Sequence, residues 1–183
     1  MKGIIFSEFI EMVEDFFPPE IADQIIEQSN LRSEGAYTAV GTYDHQEILT
    51  LVGNLSAVTS IPVETLVSTF GKHMFGRFHE LYPHVFEGID DAFDFLSQIE
   101  DHVHGEVRKL YNDTELPTFA IERPDDNTLN MIYQSQRPFG LLALGLIQGC
   151  IEYFGENINV DMEDLSTEGA SHVRFELTRS PHE

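Results

Sequence analysis

The chain has 183 residues, with 32 acidic against 10 basic side chains and a formal net charge of −22. Its length allows one large domain or two small ones, and a hydrophobic content of 42% is enough for a packed core. The charge argues against binding to nucleic acid or an anionic membrane surface, which both need counterion release by basic groups, and the single cysteine, Cys150, excludes an internal disulfide.

Apolar residues recur at helical spacing through the first 80 residues and predict four helices. Pro18-Pro19 and Pro62 mark breaks between them, and Asp44 is placed to cap the third. The predicted helices are residues 3–16, residues 20–28, the apolar run from Ile48 to Leu55, and the run from Pro62 to Tyr82. No apolar run approaches the ~20 residues that a membrane-spanning helix needs, and the lone cysteine favours a reducing, cytoplasmic setting.

A fifth helix is predicted from about Ile89 to Tyr111, and a turn over residues 112–117 ends it. After Pro117 the apolar period changes from helical to alternating. The predicted elements there are a hairpin of strands 119–123 and 128–136, a helix over 141–154, and strands at 158–162 and 173–178. The pattern predicts one α+β domain: a helical N-terminal lobe, about residues 1–65, followed by an antiparallel sheet with a packed helix, about residues 66–183.

Tyr133, Ser135 and Arg137 alternate along the second predicted strand and would share one of its faces. Two hydroxyls and a guanidinium in a row form a candidate site for a carboxylate or phosphate. Arg137 is also the only Lys or Arg between Pro124 and Val173. The alternative is a solvent-facing strand end with Arg137 paired to a surface acid.

His102 and His104 lie two residues apart on the fifth predicted helix, so they point to different sides and would not share a metal ion. A single histidine ligand fits haem, because the porphyrin supplies the other four nitrogens. Haem also carries two carboxylates, which the candidate site around Arg137 would hold. The alternative is that both histidines are surface residues, and periodicity does not choose between them because both flank Val103.

Three segments occur in the order and spacing of a known family. They are His104-Gly-Glu-Val-Arg-Lys-Leu-Tyr111, then Leu116-Pro117, then Tyr133-x-Ser135-x-Arg137. The chain thereby resembles the haem–nitric oxide/oxygen binding (H-NOX) domains, related to the sensor domain of soluble guanylate cyclase, and its opening Met1-Lys2-Gly3-Ile4-Ile5 is similar too. The resemblance covers essentially the whole chain, 1–183. It implies a single sensor domain with haem b, iron protoporphyrin IX, between the two lobes.

The resemblance implies a role for each matching residue. His104 would be the metal ligand, and Tyr133, Ser135 and Arg137 would clamp the haem propionates. The other haem-contacting positions would be Pro117, which presses on the porphyrin, Ile5, Leu146 and Phe78. The distal side would carry Leu142, where oxygen-binding members have a tyrosine, together with Phe9 and Met74. This apolar set implies binding of nitric oxide, and of CO, with little or no binding of O₂.

The function that the resemblance implies is gas sensing rather than catalysis. A stand-alone bacterial member would signal to a separate protein, either a histidine kinase of a two-component system or a cyclic-di-GMP enzyme (diguanylate cyclase or phosphodiesterase). Nitric oxide would weaken the bond between iron and His104 and so release a strained state. The alternatives are a peroxidase-like haem enzyme, which usually needs a polar distal acid or base, and a haem-free acidic interaction module. With no cysteine after Cys150, the zinc site of some members would be absent.

Overall fold

The computed structural model describes residues 1–111, 113–167 and 170–180, and the chain divides into two compact units, Met1–Phe70 and Gly71–Glu183. Asn112, the first residue of the predicted turn, and His182, one of the eight histidines, lie outside the described residues. Among the described residues, no single helix is long and apolar enough to cross a membrane; only the sharply bent pair His45–Thr59 and Val63–Leu81 meets that test when taken together.

The first unit is helical. Its helices are α1 (Gly3–Phe16), α2 (Pro19–Ser29), α3 (His45–Thr59) and the first part of α4 (Val63–Leu81). Asp44 caps α3 by accepting a hydrogen bond from the backbone N–H of Gln46 at 3.0 Å, which offsets one of the unpaired donors of the first turn. The core of this unit is formed by fully buried side chains: Phe6, Phe9, Met12, Val13, Ile25, Leu51 and Leu55.

The second unit contains an antiparallel sheet and the remaining helices. The strands are β1 (Thr118–Asp125), β2 (Thr128–Ser135), β3 (Ile158–Asp164) and β4 (Ser171–Arg179), in the order β1-β2-β4-β3. The helices are α5 (Ala92–Ser97), α6 (His104–Leu110) and α7 (Gly140–Phe154). All three strand pairs are antiparallel, so the predicted α+β class is confirmed.

Helix α7 packs at close range in the second unit because three of its positions are glycine. A Cβ atom at Gly149 would lie 2.8 Å from the Cβ of Phe75, and one at Gly140 would lie 2.8 Å from Cγ2 of Val173 on β4. Alternate residues of β2 and β4 are buried as the two-residue period requires: Leu129, Met131, Tyr133, Val173, Phe175 and Leu177. The buried side of the sheet therefore ends at Tyr133, the first residue of the candidate clamp.

The single long helix predicted from Ile89 to Tyr111 is wrong. After a 3₁₀ turn at Pro83–Phe86, helix α5 begins at Ala92, where Asp91 accepts from the N–H of Asp94 at 2.9 Å. A π-helical turn, Ile99–Val103, then separates α5 from α6, and the N–H of His104 bonds the carbonyl of Ile99 five residues back. This extra residue in the turn rotates the chain, and apolar periodicity does not reveal it.

Candidate functional site

The three candidate clamp residues lie together, although not on one strand. Strand β2 ends at Ser135, so Arg137 follows in a bend rather than continuing the strand face as the sequence predicts. The side-chain oxygen of Ser135 accepts a hydrogen bond from the backbone N–H of Arg137 at 3.0 Å, which fixes this bend. Pro138 lacks an N–H and does not extend the ladder.

The hydroxyl of Tyr133 lies close to Ser135 and Arg137. Its ring is 2% exposed, and burial raises the pKa of the hydroxyl, against the opposing effects of a hydrogen bond from Ser135, the charge of Arg137 and the backbone of Phe139. The hydroxyl therefore stays protonated at neutral pH and can donate to an anion. Two hydroxyl donors and a guanidinium within one short segment suit a carboxylate.

Arg137 already binds a carboxylate. Its Nη2 atom lies 2.7 Å from Oε2 of Glu115, and Nη1 donates to the backbone carbonyl of Glu115 at 3.4 Å. The Arg137 side chain is 21% exposed, whereas that of Glu115 is 82% exposed. The guanidinium is thus partly buried, whereas its partner is exposed. A ligand carboxylate could therefore replace Glu115 without leaving the cation unpaired.

His104 is one of the few buried polar residues, at 8% exposure, and it begins α6 directly after the π-helical turn. Its Nδ1 atom lies 3.2 Å from Oε1 of Glu100. Burial lowers the pKa of His104, as does the charge of Arg108, while Glu100 opposes the shift. The imidazole is neutral at neutral pH, and no hydrogen bond described for residues 1–111, 113–167 and 170–180 uses its Nε2 atom.

Aromatic contacts connect His104 with the clamp. The ring of Phe119 on β1 lies 6.0 Å from that of His104 and 5.5 Å from that of Tyr133, measured between centroids. Phe119 and Tyr133 are also register partners in the β1–β2 pair. Pro117 stands two residues before Phe119, immediately ahead of β1, and is half-buried. The second unit therefore brings His104, Pro117 and the clamp into one neighbourhood.

His102 differs from His104 in its surroundings. It lies within the π-helical turn, and its Nε2 atom is buried with no hydrogen-bond partner among the described residues. A buried imidazole nitrogen without a hydrogen-bond partner is unfavourable. Nevertheless, only His104 has a carboxylate on its other nitrogen and a ring contact that leads to Tyr133.

The remaining predicted positions are distributed over both units. Ile5 and Phe9 lie on α1 in the first unit, where Phe9 is fully buried and meets the ring of Phe70 edge-on at 5.3 Å. In the second unit, Met74 is buried on α4, Phe78 is half-buried one turn later with its ring 6.1 Å from that of Tyr82, and Leu142 and Leu146 are half-buried on α7. None of the distal candidates Phe9, Met74 and Leu142 carries a hydrogen-bond donor in its side chain.

The chemistry of this donor set fits haem. A neutral imidazole with one nitrogen on a carboxylate and the other unused is the usual state of a histidine that binds a metal ion. A guanidinium that already holds a carboxylate, beside two hydroxyls, suits a propionate. Among the described residues, no group of three or more His, Cys, Asp or Glu side chains could hold a bare metal ion, so a single histidine suits iron carried by a porphyrin.

Three residues of this neighbourhood are not predicted from the sequence: Glu100, Glu115 and Phe119. Glu100 belongs to a chain with 32 acidic residues, and its role depends on the π-helical turn and on β1. Glu115 meets Arg137 across 22 positions. Only Phe119 could have been found from the sequence, since the predicted hairpin places it opposite the end of β2, near Tyr133.

Comparison with known proteins identifies what this chain is similar to. A protein-family model described as haem-NO-binding matches residues 2–162. The Fe(II) unliganded H-NOX protein from K. algicida is 41% identical, with a TM-score of 0.92 over 100% of this chain and 98% of that one. The H-NOX protein from Shewanella woodyi, solved with IWP-051 in the Fe(II)CO state, is 44% identical, with a TM-score of 0.84 over 99% and 95% of the two chains.

A more distant structure shows the same fold. The H-NOX protein from S. oneidensis in the Fe(II)NO state is 24% identical, with a TM-score of 0.87 over 98% of this chain and 99% of that one. A search of curated protein sequences returned no significant match.

Proposed function

This chain belongs to the haem-NO-binding (H-NOX) family, and from that membership we propose that it senses nitric oxide at ferrous haem and signals to a separate protein. It is a sensor domain of this family and not itself an enzyme. The proposed cofactor is haem b, iron protoporphyrin IX. The proposed setting is the cytoplasm, where the lone, buried Cys150 would stay reduced.

The state of His104 supports this function most directly. The side chain is buried and neutral, its Nδ1 atom is taken by Glu100, and its Nε2 atom is left for a metal. In this proposal His104 binds the iron, and Tyr133, Ser135 and Arg137 hold the propionates. Pro117 stands beside this neighbourhood, where its rigid ring would press on the porphyrin.

Other side chains would enclose the porphyrin. We assign Ile5, Phe78 and Leu146 to its contacts, since each is apolar and half-buried. When bound, ferrous haem would supply an iron atom that can bind a diatomic gas. The chain's own residues hold the group, exclude water and shape the space around that position.

The residues proposed for the distal side set the choice of gas. Binding of O₂ is favoured by a nearby hydrogen-bond donor, whereas binding of NO does not need one. The side chains of Leu142, Phe9 and Met74 donate no hydrogen bond. We therefore propose that the protein binds NO and CO and has little or no affinity for O₂. The CO-ligated state of the S. woodyi relative supports the CO part of this proposal.

The proposed partner is a signalling protein encoded separately. We propose a histidine kinase of a two-component system, or a diguanylate cyclase or phosphodiesterase. A net charge of −22 would favour a basic docking face on the partner and steer its approach. Nucleic acid and membranes are not proposed as partners, because both carry negative charge.

Absorption spectroscopy of the purified ferrous protein tests the gas-binding proposal. Without oxygen, the Soret band should shift on addition of NO and, separately, of CO. On exposure to air, no stable O₂ complex should form. A stable O₂ complex in air would contradict the proposed selectivity. A purified protein that shows no Soret band even after incubation with haem would contradict the proposed cofactor.

A further inference from the structure

Glu100 contacts three groups at once with its single carboxylate. Its Oε1 atom accepts a hydrogen bond from the backbone N–H of Phe119 at 2.7 Å and lies 3.2 Å from Nδ1 of His104. Its Oε2 atom lies 3.5 Å from a guanidinium nitrogen of Arg108. The side chain is 29% exposed, so these contacts are partly sheltered from solvent. The carboxylate thus connects the π-helical turn with α6 and with the start of β1.

The contact with Glu100 determines which nitrogen of His104 carries the proton. An ionised carboxylate only accepts hydrogen bonds, so Nδ1 of His104 must be the donor. In a neutral imidazole with a proton on Nδ1, the lone pair lies on Nε2. This is the nitrogen that no described contact uses, and it is the one left to bind a metal.

The local backbone makes this contact possible. Glu100 and His104 are four residues apart across the π-helical turn, and His104 bonds back to the carbonyl of Ile99. The short bond from the N–H of Phe119 holds Oε1 in place independently of the histidine. A carboxylate fixed in this way orients the imidazole, whereas a mobile one would follow it.

We propose that Glu100 is a positioning residue: it fixes the ring of His104, keeps the proton on Nδ1, and makes Nε2 a stronger donor to the iron. The inference rests on the proposed function, since it concerns the bond between His104 and haem iron. A hydrogen-bonded anion behind a metal-binding histidine raises the basicity of that ligand. Glu100 would therefore set how strongly His104 holds the iron, and hence how readily NO weakens that bond.

Glu100→Gln and Glu100→Ala separate this role from a purely structural one. Glutamine keeps an acceptor for the N–H of Phe119 but has no negative charge, and alanine removes the acceptor. Glu106→Gln is the matched control, because Glu106 lies nearby on α6 and pairs with Lys109 and His84 rather than with His104. All three substitutions remove one acidic charge.

Resonance Raman spectroscopy of the ferrous, gas-free protein measures the iron–histidine stretching frequency. We expect a lower frequency in Glu100→Gln, a still lower one in Glu100→Ala, and no change in Glu106→Gln. Haem should dissociate about 10-fold faster from Glu100→Ala than from the control. A Glu100→Gln protein that is folded, holds haem and keeps the original frequency would overturn the proposal, as would a variant that loses only thermal stability.

The haem-free chain gives an independent readout. NMR of ¹⁵N-labelled imidazole should show His104 with its proton on Nδ1 in the original chain, and a mixture of both tautomers in Glu100→Ala. A proton on Nε2 in the original chain would overturn the role of Glu100. Absence of any iron–histidine band in the original holoprotein would instead refute the proposed function, and the tautomer experiment would still decide the role of Glu100.

Discussion

At the scale of single residues, the site combines a neutral imidazole with a cation that is ready to bind a carboxylate. Each group is paired with an acid: Glu100 contacts Nδ1 of His104, and Glu115 pairs with Arg137. The two acids differ in exposure, 29% for Glu100 and 82% for Glu115. The first is therefore built into the protein, whereas the second can be displaced by a ligand.

Removing the imidazole of His104 tests the assignment of the metal ligand. The variant His104→Gly should lose stable haem, because the only proposed bond to iron is gone, and added free imidazole should restore it. The ratio of Soret to protein absorbance after gel filtration measures this. His102→Ala is the matched control and should retain haem; if it loses haem and His104→Gly does not, His102 is the ligand.

Removing the guanidinium of Arg137 tests the clamp. A hydrogen bond to a charged group contributes about 1.5–3 kcal/mol, so Arg137→Ala should release haem roughly 10-fold faster or more. Transfer of haem to an excess of apomyoglobin measures the rate. Arg174→Ala is the control, because Arg174 is 47% exposed and pairs only with Glu163 in the described contacts. Equal rates in the two variants would argue against the clamp.

Arg179 is not a suitable control despite its equal charge. Its guanidinium bonds Asp91 and Glu156 at 2.9 Å and lies 4.2 Å from the ring centroid of Phe93. The N–H of Ala92 bonds the same Glu156, at 2.6 Å. Substitution of Arg179 would therefore destabilise the second unit. Faster haem loss from such a variant would then have two explanations, a lost clamp or a less stable fold.

For the candidate site residues, the sequence predicted relative positions where strand spacing alone determines them. Tyr133 and Ser135 share a face of β2 because side chains alternate along a strand. Arg137 joins them through the Ser135 hydroxyl, in a bend that the alternation does not describe. Glu100 could not be predicted, because its contacts join segments 19 positions apart and depend on a π-helical turn.

At the scale of elements, the α4–α7 contact depends on glycine. A methyl group at Gly149 would meet the Cβ of Phe75 at 2.8 Å and the Cα of Lys72 at 3.2 Å. Atoms this close to a backbone cannot be avoided by a rotamer change, so the helices would have to separate.

A pair of alanine substitutions tests this packing. Gly149→Ala should lower the free energy of unfolding by about 1–3 kcal/mol through overpacking. Gly76→Ala, on the exposed side of α4 with no atom within 4 Å of the new Cβ, should raise it by up to about 1 kcal/mol through helix propensity. Urea unfolding followed by circular dichroism measures both, and equal stability of the two variants would contradict the close contact.

Helix prediction succeeded where the apolar period is bounded by prolines or by a capping residue. The predicted α1 has the observed bounds, Gly3–Phe16, and Asp44 caps α3 as expected. The prediction for residues 89–111 was wrong because their apolar residues fit one continuous helix, although the backbone has an extra residue in the turn Ile99–Val103. A π-helical turn is stabilised by contacts outside the segment, here those of Glu100 with Phe119, and these are invisible in a local pattern.

At the scale of the whole molecule, partly or fully buried phenols give both units an alkaline limit. Burial raises the pKa of Tyr37 and Tyr133 above the ordinary value, and it raises that of Tyr82 to about 12, with a contribution from Tyr111. A raised pKa in the folded state means that the folded chain holds these protons more tightly than the unfolded chain. Their contribution to stability is complete below pH ~10 and is lost as the pH rises through the folded values.

A spectrophotometric titration of the haem-free chain tests this limit. At least three of the six tyrosines should ionise above pH ~10 in the folded protein, and all six near pH 10 in denaturant. Tyr82→Phe should remove one tyrosine from the set that ionises above pH ~10 in the folded protein. Ionisation of all six in a single step near pH 10, with the chain still folded, would contradict the burial.

The position of Phe119 makes this protein suited to optical detection of its own cofactor. The chain contains no tryptophan, and the Phe119 ring lies 6.0 Å from that of His104. Phe119→Trp would therefore place the chain's single tryptophan beside the proposed ligand of the iron. Haem absorbs where tryptophan emits, so energy transfer would quench the tryptophan fluorescence as the protein binds haem. Cofactor uptake could then be followed as a change in emission intensity, without an attached dye.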